Sequence, residues 1–137
     1  MITDQEHKLD QLARELNVRV LPDLSHELDT ADIAGWFPRS RRVLYRLGMS
    51  FAETVCAIAH ELGHAAYGDE YSEDCLRESR QEARADRWAV GVLISRSAYE
   101  HAERIVGSHS GAIAAELGVT VEFVDVWKAL HEKALIQ

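Results

Sequence analysis

The sequence predicts an α+β fold in which helices predominate. Two observations carry this: long segments with helical spacing and explicit start signals recur from end to end, and three short strand-like runs all fall between residues 18 and 47. The chain has 137 residues, which suits one domain able to bury about two-thirds of its unfolded surface. Residues 1–137 are therefore expected to form a single domain, with a helical pair at about 110–135 belonging to it.

The elements follow in order. Residues 3–16 place Leu9, Leu12, Ala13 and Leu16 at helical spacing and exit at Asn17, giving a first helix expected to lie as a lid on the sheet. Val18-Arg19-Val20-Leu21 alternates and stops at Pro22, as a half-buried strand does. Residues 23–32 are acidic and weakly patterned, so they read as loop or one helical turn. Ile33–Phe37 and Arg42–Leu47 are strand-like and joined through Pro38-Arg39-Ser40, which makes a hairpin. Arg39, Arg41, Arg42 and Arg46 cluster there; they either guard a sheet edge with charge or dock an acidic segment of a partner.

Next comes the informative stretch. Ser50-x-x-Glu53 is a capping box, Gly68-Asp69 marks the exit, and the helix between them carries His60-Glu61-Leu62-Gly63-His64. This matches H-E-x-x-H, in which two histidines one turn apart reach one ion and the glutamate beside them faces the water to be activated. Phe51, Val55, Ile58, Leu62 and Ala66 form an apolar stripe roughly opposite the histidines, so one side is expected to pack and the other to work.

An acidic connection leads to a second long helix over about Glu78–Ile94. Glu82, Ala85, Asp86, Ala89, Val92 and Leu93 share a face, which puts two carboxylates on a stripe expected to be buried. Glu82 has the chemistry of the third protein ligand in a His₂Glu zinc site, and Asp86 that of an acceptor for the outer N–H of a ligand histidine. The competing reading pairs both acids with Arg14 or Arg80. The longer pattern H-E-x-x-H-x-x-G-x-x-H fails, because Tyr67 stands where glycine is needed and Glu70 where histidine is. Asp69, Glu70, Glu73 and Asp74 remain alternative ligands in the loop.

The rest is helical. Ser97-x-x-Glu100 reads as a capping box for a helix to about Val106, and residues 110–135 have helix-turn-helix spacing, with Ala114, Gly118 and Val124 where two helices cross closely. The second of these helices sets Glu122, Asp125 and Glu132 against Lys128 and Lys133. With a net charge of −8 overall, it reads as a packing pair rather than a DNA reader.

Composition narrows the class further. No apolar run approaches the length of a membrane span, the opening MITDQEHKLD has no leader pattern, and Cys56 and Cys75 are too few for a disulfide scaffold. A cytoplasmic protein whose partners are proteins, without direct contact to nucleic acid or membrane, is expected. Cys56, one turn before His60, reads as a buried thiol.

Three segments together, His60-Glu61-Leu62-Gly63-His64, Glu82-x-x-Ala85-Asp86-x-x-Ala89 and Leu117-Gly118-Val119-Thr120, resemble the ImmA/IrrE family of bacterial and phage metallopeptidases over about residues 5–135. The resemblance implies a three-stranded sheet packed on the H-E-x-x-H helix, one Zn²⁺ per chain held by His60, His64 and Glu82, and Glu61 as catalytic base. It also implies a protein substrate, a helix-turn-helix repressor of a phage, mobile element or stress regulon. One departure is local: a Leu-Leu-Met-Pro type stop usual in the family is replaced by Val92-Leu93-Ile94-Ser95-Arg96. Tyr67, Tyr71, His101 and His109 are the candidate substrate or oxyanion contacts, none of which sequence places over the metal. Two rival functions stay open, a metal-containing sensor or interaction domain with little proteolysis and a helix-turn-helix DNA-binding accessory protein.

Overall fold

Six helices and three strands occur among the residues that the computed structural model describes, 3–136, with side chains described for 3–132. Helix α1 (Asp4–Glu15) opens at Thr3, whose hydroxyl accepts from the Glu6 N–H while the Glu6 carboxylate accepts from the Thr3 N–H. The helix ends at Asn17, which holds a left-handed φ of 57°. It packs chiefly along α2 and meets the sheet mainly at its β1 edge, so it lies beside the sheet rather than over it as the expected lid.

Strands β1 (Arg19–Pro22), β2 (Ala34–Phe37) and β3 (Arg42–Tyr45) form one mixed sheet in the order β1-β3-β2. Central β3 runs parallel to β1, pairing Val20 with Val43, and antiparallel to β2, pairing Trp36 with Val43. Val43 and Leu44 are consequently the buried residues of the sheet. The loop between β1 and β2 is irregular and held down by the hairpin arginines. Arg42 grips Glu27 with two hydrogen bonds of 2.9 and 3.0 Å, and Arg46 donates to the carbonyls of Asp29 and Thr30. Arg41 reaches back to the carbonyls of Leu16 and Asn17. Three of the four clustered arginines therefore staple the protein to itself, which leaves them little freedom to dock a partner.

Helix α2 (Phe51–Tyr67) is the centre of the molecule. Its capping box forms as expected, with Ser50 accepting from the Glu53 N–H and Glu53 accepting from the Ser50 N–H. The two-sided division of this helix is corrected by the structure. Val55 and Leu62 are buried, but Phe51 and Ala66, at the ends, are exposed, while Cys56, Ala57, Ala59, Gly63, His64 and Ala65 are buried on the other sides. The reason is that β2 and β3 cover one side and α3 crosses the other.

Helix α3 (Cys75–Leu93) starts at Asp74, whose carboxylate accepts from the Leu76 and Arg77 N–H groups. Ala85 and Ala89 are fully buried against α2. Gly63 makes this crossing close: a Cβ added there would stand 2.9 Å from the Ala85 carbonyl oxygen. Leu93 and Ile94, in the segment that departs from the family pattern, point into the core. Helix α4 (Arg96–Val106) is capped by Ser95, not by Ser97, because the extended Ile94 ends α3 and Ser95 at once accepts from the Ala98 N–H.

Helices α5 (Ser110–Leu117) and α6 (Val121–Ile136) complete the core through Ile113, Ala114, Val119, Phe123, Val124 and Trp127. Their helix-turn-helix spacing serves packing, with Gly118 taking the left-handed turn at φ 71°. Lys133, one of the charges counted on the last helix, lies outside the described side chains. No described helix is long and apolar enough to cross a membrane.

Candidate metal centre

Helical geometry sets His60 and His64 one turn apart on α2, and their rings meet edge to face with centroids 4.8 Å apart. The Nε2 atoms are 3.2 Å from each other. Glu82 arrives from α3 and closes the triangle, with Oε2 2.8 Å from His60 Nε2 and Oε1 3.1 Å from His64 Nε2. Donor atoms of three side chains from two helices thus converge within about one ligand–ligand spacing of a tetrahedral zinc site. Glu61 stands a step farther back; one atom each of His60, Glu61 and His64 fall within 4.8 Å of one another, a looser triangle than the one Glu82 completes.

Each histidine turns its other nitrogen to a carboxylate. His60 Nδ1 lies 2.6 Å from Asp86 Oδ1, and His64 Nδ1 lies 2.9 Å from Asp69 Oδ2. These partners favour the tautomers with the proton on Nδ1, leaving both Nε2 lone pairs turned toward Glu82. Three lone-pair donors facing one another repel unless positive charge bridges them, so the donor set fits a divalent cation. The electrostatics agree: burial on its own lowers the His60 pKa, and the bonds from Asp86 and Glu82 reverse this and carry it to about 10. The same two histidines hold the Glu82 carboxyl well below the usual carboxylate range. Burial raises the Glu61 pKa, against the pull of His60 and His64, which moves it toward the range useful to a general base.

Glu82 and Asp86 are less buried than their shared stripe suggested, at 55% and 41% side-chain exposure. They stand beside the histidines near the middle of α3, on either side of the fully buried Ala85. Their partners are histidines rather than Arg14, which pairs with Asp10. Asp69 was not anticipated in its actual place. Gly68 turns the chain left-handed at the end of α2, the Asp69 N–H donates back to the His64 carbonyl, and the side chain, 5% exposed, folds under the ring it supports. Arg84 donates to the same carboxylate and sits 4.2 Å over the Tyr67 ring, while Trp36 Nε1 donates to the Asp69 carbonyl. The sequence signal for Asp69 was slight, an acid directly after a helix-ending glycine.

The site opens into a cleft of about 320 Å³ bordered by β2, Glu61, His64 and Glu82. Tyr71, 87% exposed, stands on its rim. Tyr67 is instead occupied with Arg84. His101 is exposed on α4 and His109 caps α5, accepting from the Ala112 N–H; neither lines the cavities around His60 and His64. The structure therefore keeps Tyr71 near the site and removes the two histidines from it.

The model of the IrrE N-terminal-like domain, Peptidase_M78, matches residues 13–126. The chain belongs to this ImmA/IrrE peptidase family. No curated protein matches it. For an ImmA/IrrE member, the matched span encloses both site helices, the sheet and the first turn of α6, and membership supports a function of metallopeptidase type.

Proposed function

We propose that the chain is a cytoplasmic, single-domain zinc endopeptidase that cleaves a protein regulator, a repressor of the helix-turn-helix type. The observation that carries this reading is the convergence of His60, His64 and Glu82 beside the half-buried carboxylate of Glu61. His60, His64 and Glu82 would hold one zinc ion, with Asp86 and Asp69 orienting the two rings. Bound there, zinc supplies Lewis acidity that polarises a peptide carbonyl and makes water acidic near neutral pH. Glu61 accepts the proton of the attacking water and delivers it to the departing amine.

The free edge of β2 supplies a means of holding an extended substrate. Arg46 N–H donates to the Ile33 carbonyl, so pairs 33/46, 35/44 and 37/42 are the hydrogen-bonded pairs of the β2-β3 ladder. The backbone groups of Ala34 and Trp36 therefore point away from β3, and both residues border the cleft next to Glu61. A substrate strand added there would bring its peptide bonds along the site.

The DNA-binding reading is disfavoured by α6, which buries Phe123, Val124 and Trp127 in the core and opens with Glu122. A sensor without proteolysis has no use for Glu61. The test is Glu61→Gln in a cell that co-expresses a candidate repressor. The expected result is zinc stoichiometry near one with cleavage slowed about 10²–10⁴-fold. Cleavage at the wild-type rate by the metal-loaded variant rules the peptidase reading out.

A further inference from the structure

Three polar or charged residues are buried among the described residues: His64, Asp69 and Gln81. The first two are accounted for by the bonds that tie them to each other, to Glu82 and to Arg84. Gln81 is not. It is 6% exposed, and its carboxamide makes no hydrogen bond to the described residues. Nor is the amide sealed in, because the one side-chain atom among the described residues that is both sealed and unpaired is Arg84 Nε. The Gln81 carboxamide therefore meets the metal cleft, which it lines beside Glu61, His64 and Glu82.

Its place in the fold makes that polarity notable. Gln81, Ala85 and Ala89 follow one another at single-turn spacing along the buried stripe of α3. An apolar side chain of the same length would fill the first of these positions with no polar group to satisfy. The cleft gives the group a use. Its floor is α2 with Glu61 and His64, one wall is β2 with Ala34 and Trp36, and the other is α3 with Gln81 and Glu82. A peptide laid along β2 turns alternate backbone groups toward that strand and the rest away from it. Those turned away face the wall on which Gln81 stands.

We propose that Gln81 is a main-chain clamp: its carboxamide binds a peptide unit of the extended substrate that points away from β2, beside the metal centre. The inference rests on the peptidase reading and adds to it a residue that holds substrate. A carboxamide carries both donor and acceptor, so it answers the C=O and the N–H of a peptide unit whatever side chains flank it. It is uncharged, so it grips the substrate without adding a charge next to Glu82.

Two measurements on the full chain test this. In the first, the zinc-loaded protein cuts a pool of peptides from a digested proteome. The best-cut peptide is remade with single backbone esters, each replacing one N–H by oxygen outside the scissile bond. Gln81→Met and Gln81→Leu should leave zinc affinity unchanged and Tm unchanged or higher, since no polar group remains to be satisfied. They should lower kcat/KM for the parent peptide about tenfold, the worth of one or two hydrogen bonds. One ester should lose most of its cost in the variants while the others keep theirs. Wild-type kcat/KM in both variants, or ester costs equal in all three proteins at every position, overturns the clamp and leaves the peptidase reading standing. In the second measurement, NMR follows the side-chain NH₂ groups of Gln81 and of exposed Gln11. The zinc-loaded Glu61→Gln variant, in which cleavage is slowed, is titrated with N-acetyl-tetraalanine amide. The Gln81 signals should shift and those of Gln11 should stay. No shift at Gln81 overturns the clamp. A shift at Gln81 with no peptide cut by the wild type upholds the clamp and sinks the peptidase reading.

Discussion

His64 takes its orientation from a residue outside the H-E-x-x-H signature. The Asp69 carboxylate accepts from Nδ1 on one oxygen and from Arg84 on the other, so it is fixed from two sides before it fixes the ring. Supports of this kind are typically worth 10–100-fold in metal affinity. Asp69→Ala should therefore weaken zinc binding by about that factor, whereas Asp69→Asn, which keeps an acceptor for Nδ1–H, should recover part of it. Competition against a chromophoric chelator measures this, with circular dichroism confirming the fold. Equal affinity in wild type and Asp69→Ala would show that the contact is only structural. His60 and Asp86 form the matching pair on the other side, and that pair was readable from the i, i+4 spacing of Glu82 and Asp86. Asp69 was not, because the turn that returns it under His64 depends on the left-handed Gly68.

At the scale of elements, the centre exists because α2 and α3 approach closely enough for Glu82 to reach both histidines. Gly63 and Ala85 set that distance. Glycine inside a helix costs about 1 kcal/mol relative to alanine, so on propensity alone Gly63→Ala should stabilise α2. The structure predicts the opposite: the new methyl meets backbone, which cannot swing aside, and the helices must part. Lower Tm together with weaker zinc binding is expected; a higher Tm with unchanged affinity would contradict it. The cap of α2 was legible because a capping box is a local pattern four residues long. The cap of α4 was misplaced by two residues, because the competing Ser95 gains its role from the abrupt end of α3. The arginine hairpin was legible as a charge cluster but not as a set of staples, since Glu27 and the carbonyls it holds lie in a loop without periodicity.

For the whole molecule, metal and proton compete for the same lone pairs. With no metal bound, His60 has a pKa of about 10 against an ordinary value of 6.5. A raised pKa gives stability that is full below about 6.5 and is lost as pH rises through 10. Zinc-free protein should therefore lose stability between about pH 7 and 10, and zinc, by replacing the proton, should remove that loss. At neutral pH, zinc at about a thousand times its Kd adds about 4 kcal/mol, which for a chain of this size raises Tm by on the order of 10–15 °C. Thermal scans with and without chelator across this pH range check both statements. An alkaline loss of equal size with zinc bound would mean that His60 is not a ligand.

By itself the sequence determined the helix that carries His60, Glu61 and His64, the identity of Glu82 and Asp86 as the acids facing it, and the order of helices and strands. These are consequences of short-range spacing, which a chain carries wherever it folds. Only the tertiary structure decided that α2 is buried on nearly every side, that Asp69 and Arg84 stand behind His64, that His101 and His109 belong elsewhere, and that Gln81 meets the cleft from the buried stripe of α3. Each of these depends on where elements distant in sequence cross, and the crossing is set by packing at Gly63, Ala85 and Phe123, small and large residues whose meaning appears only in contact.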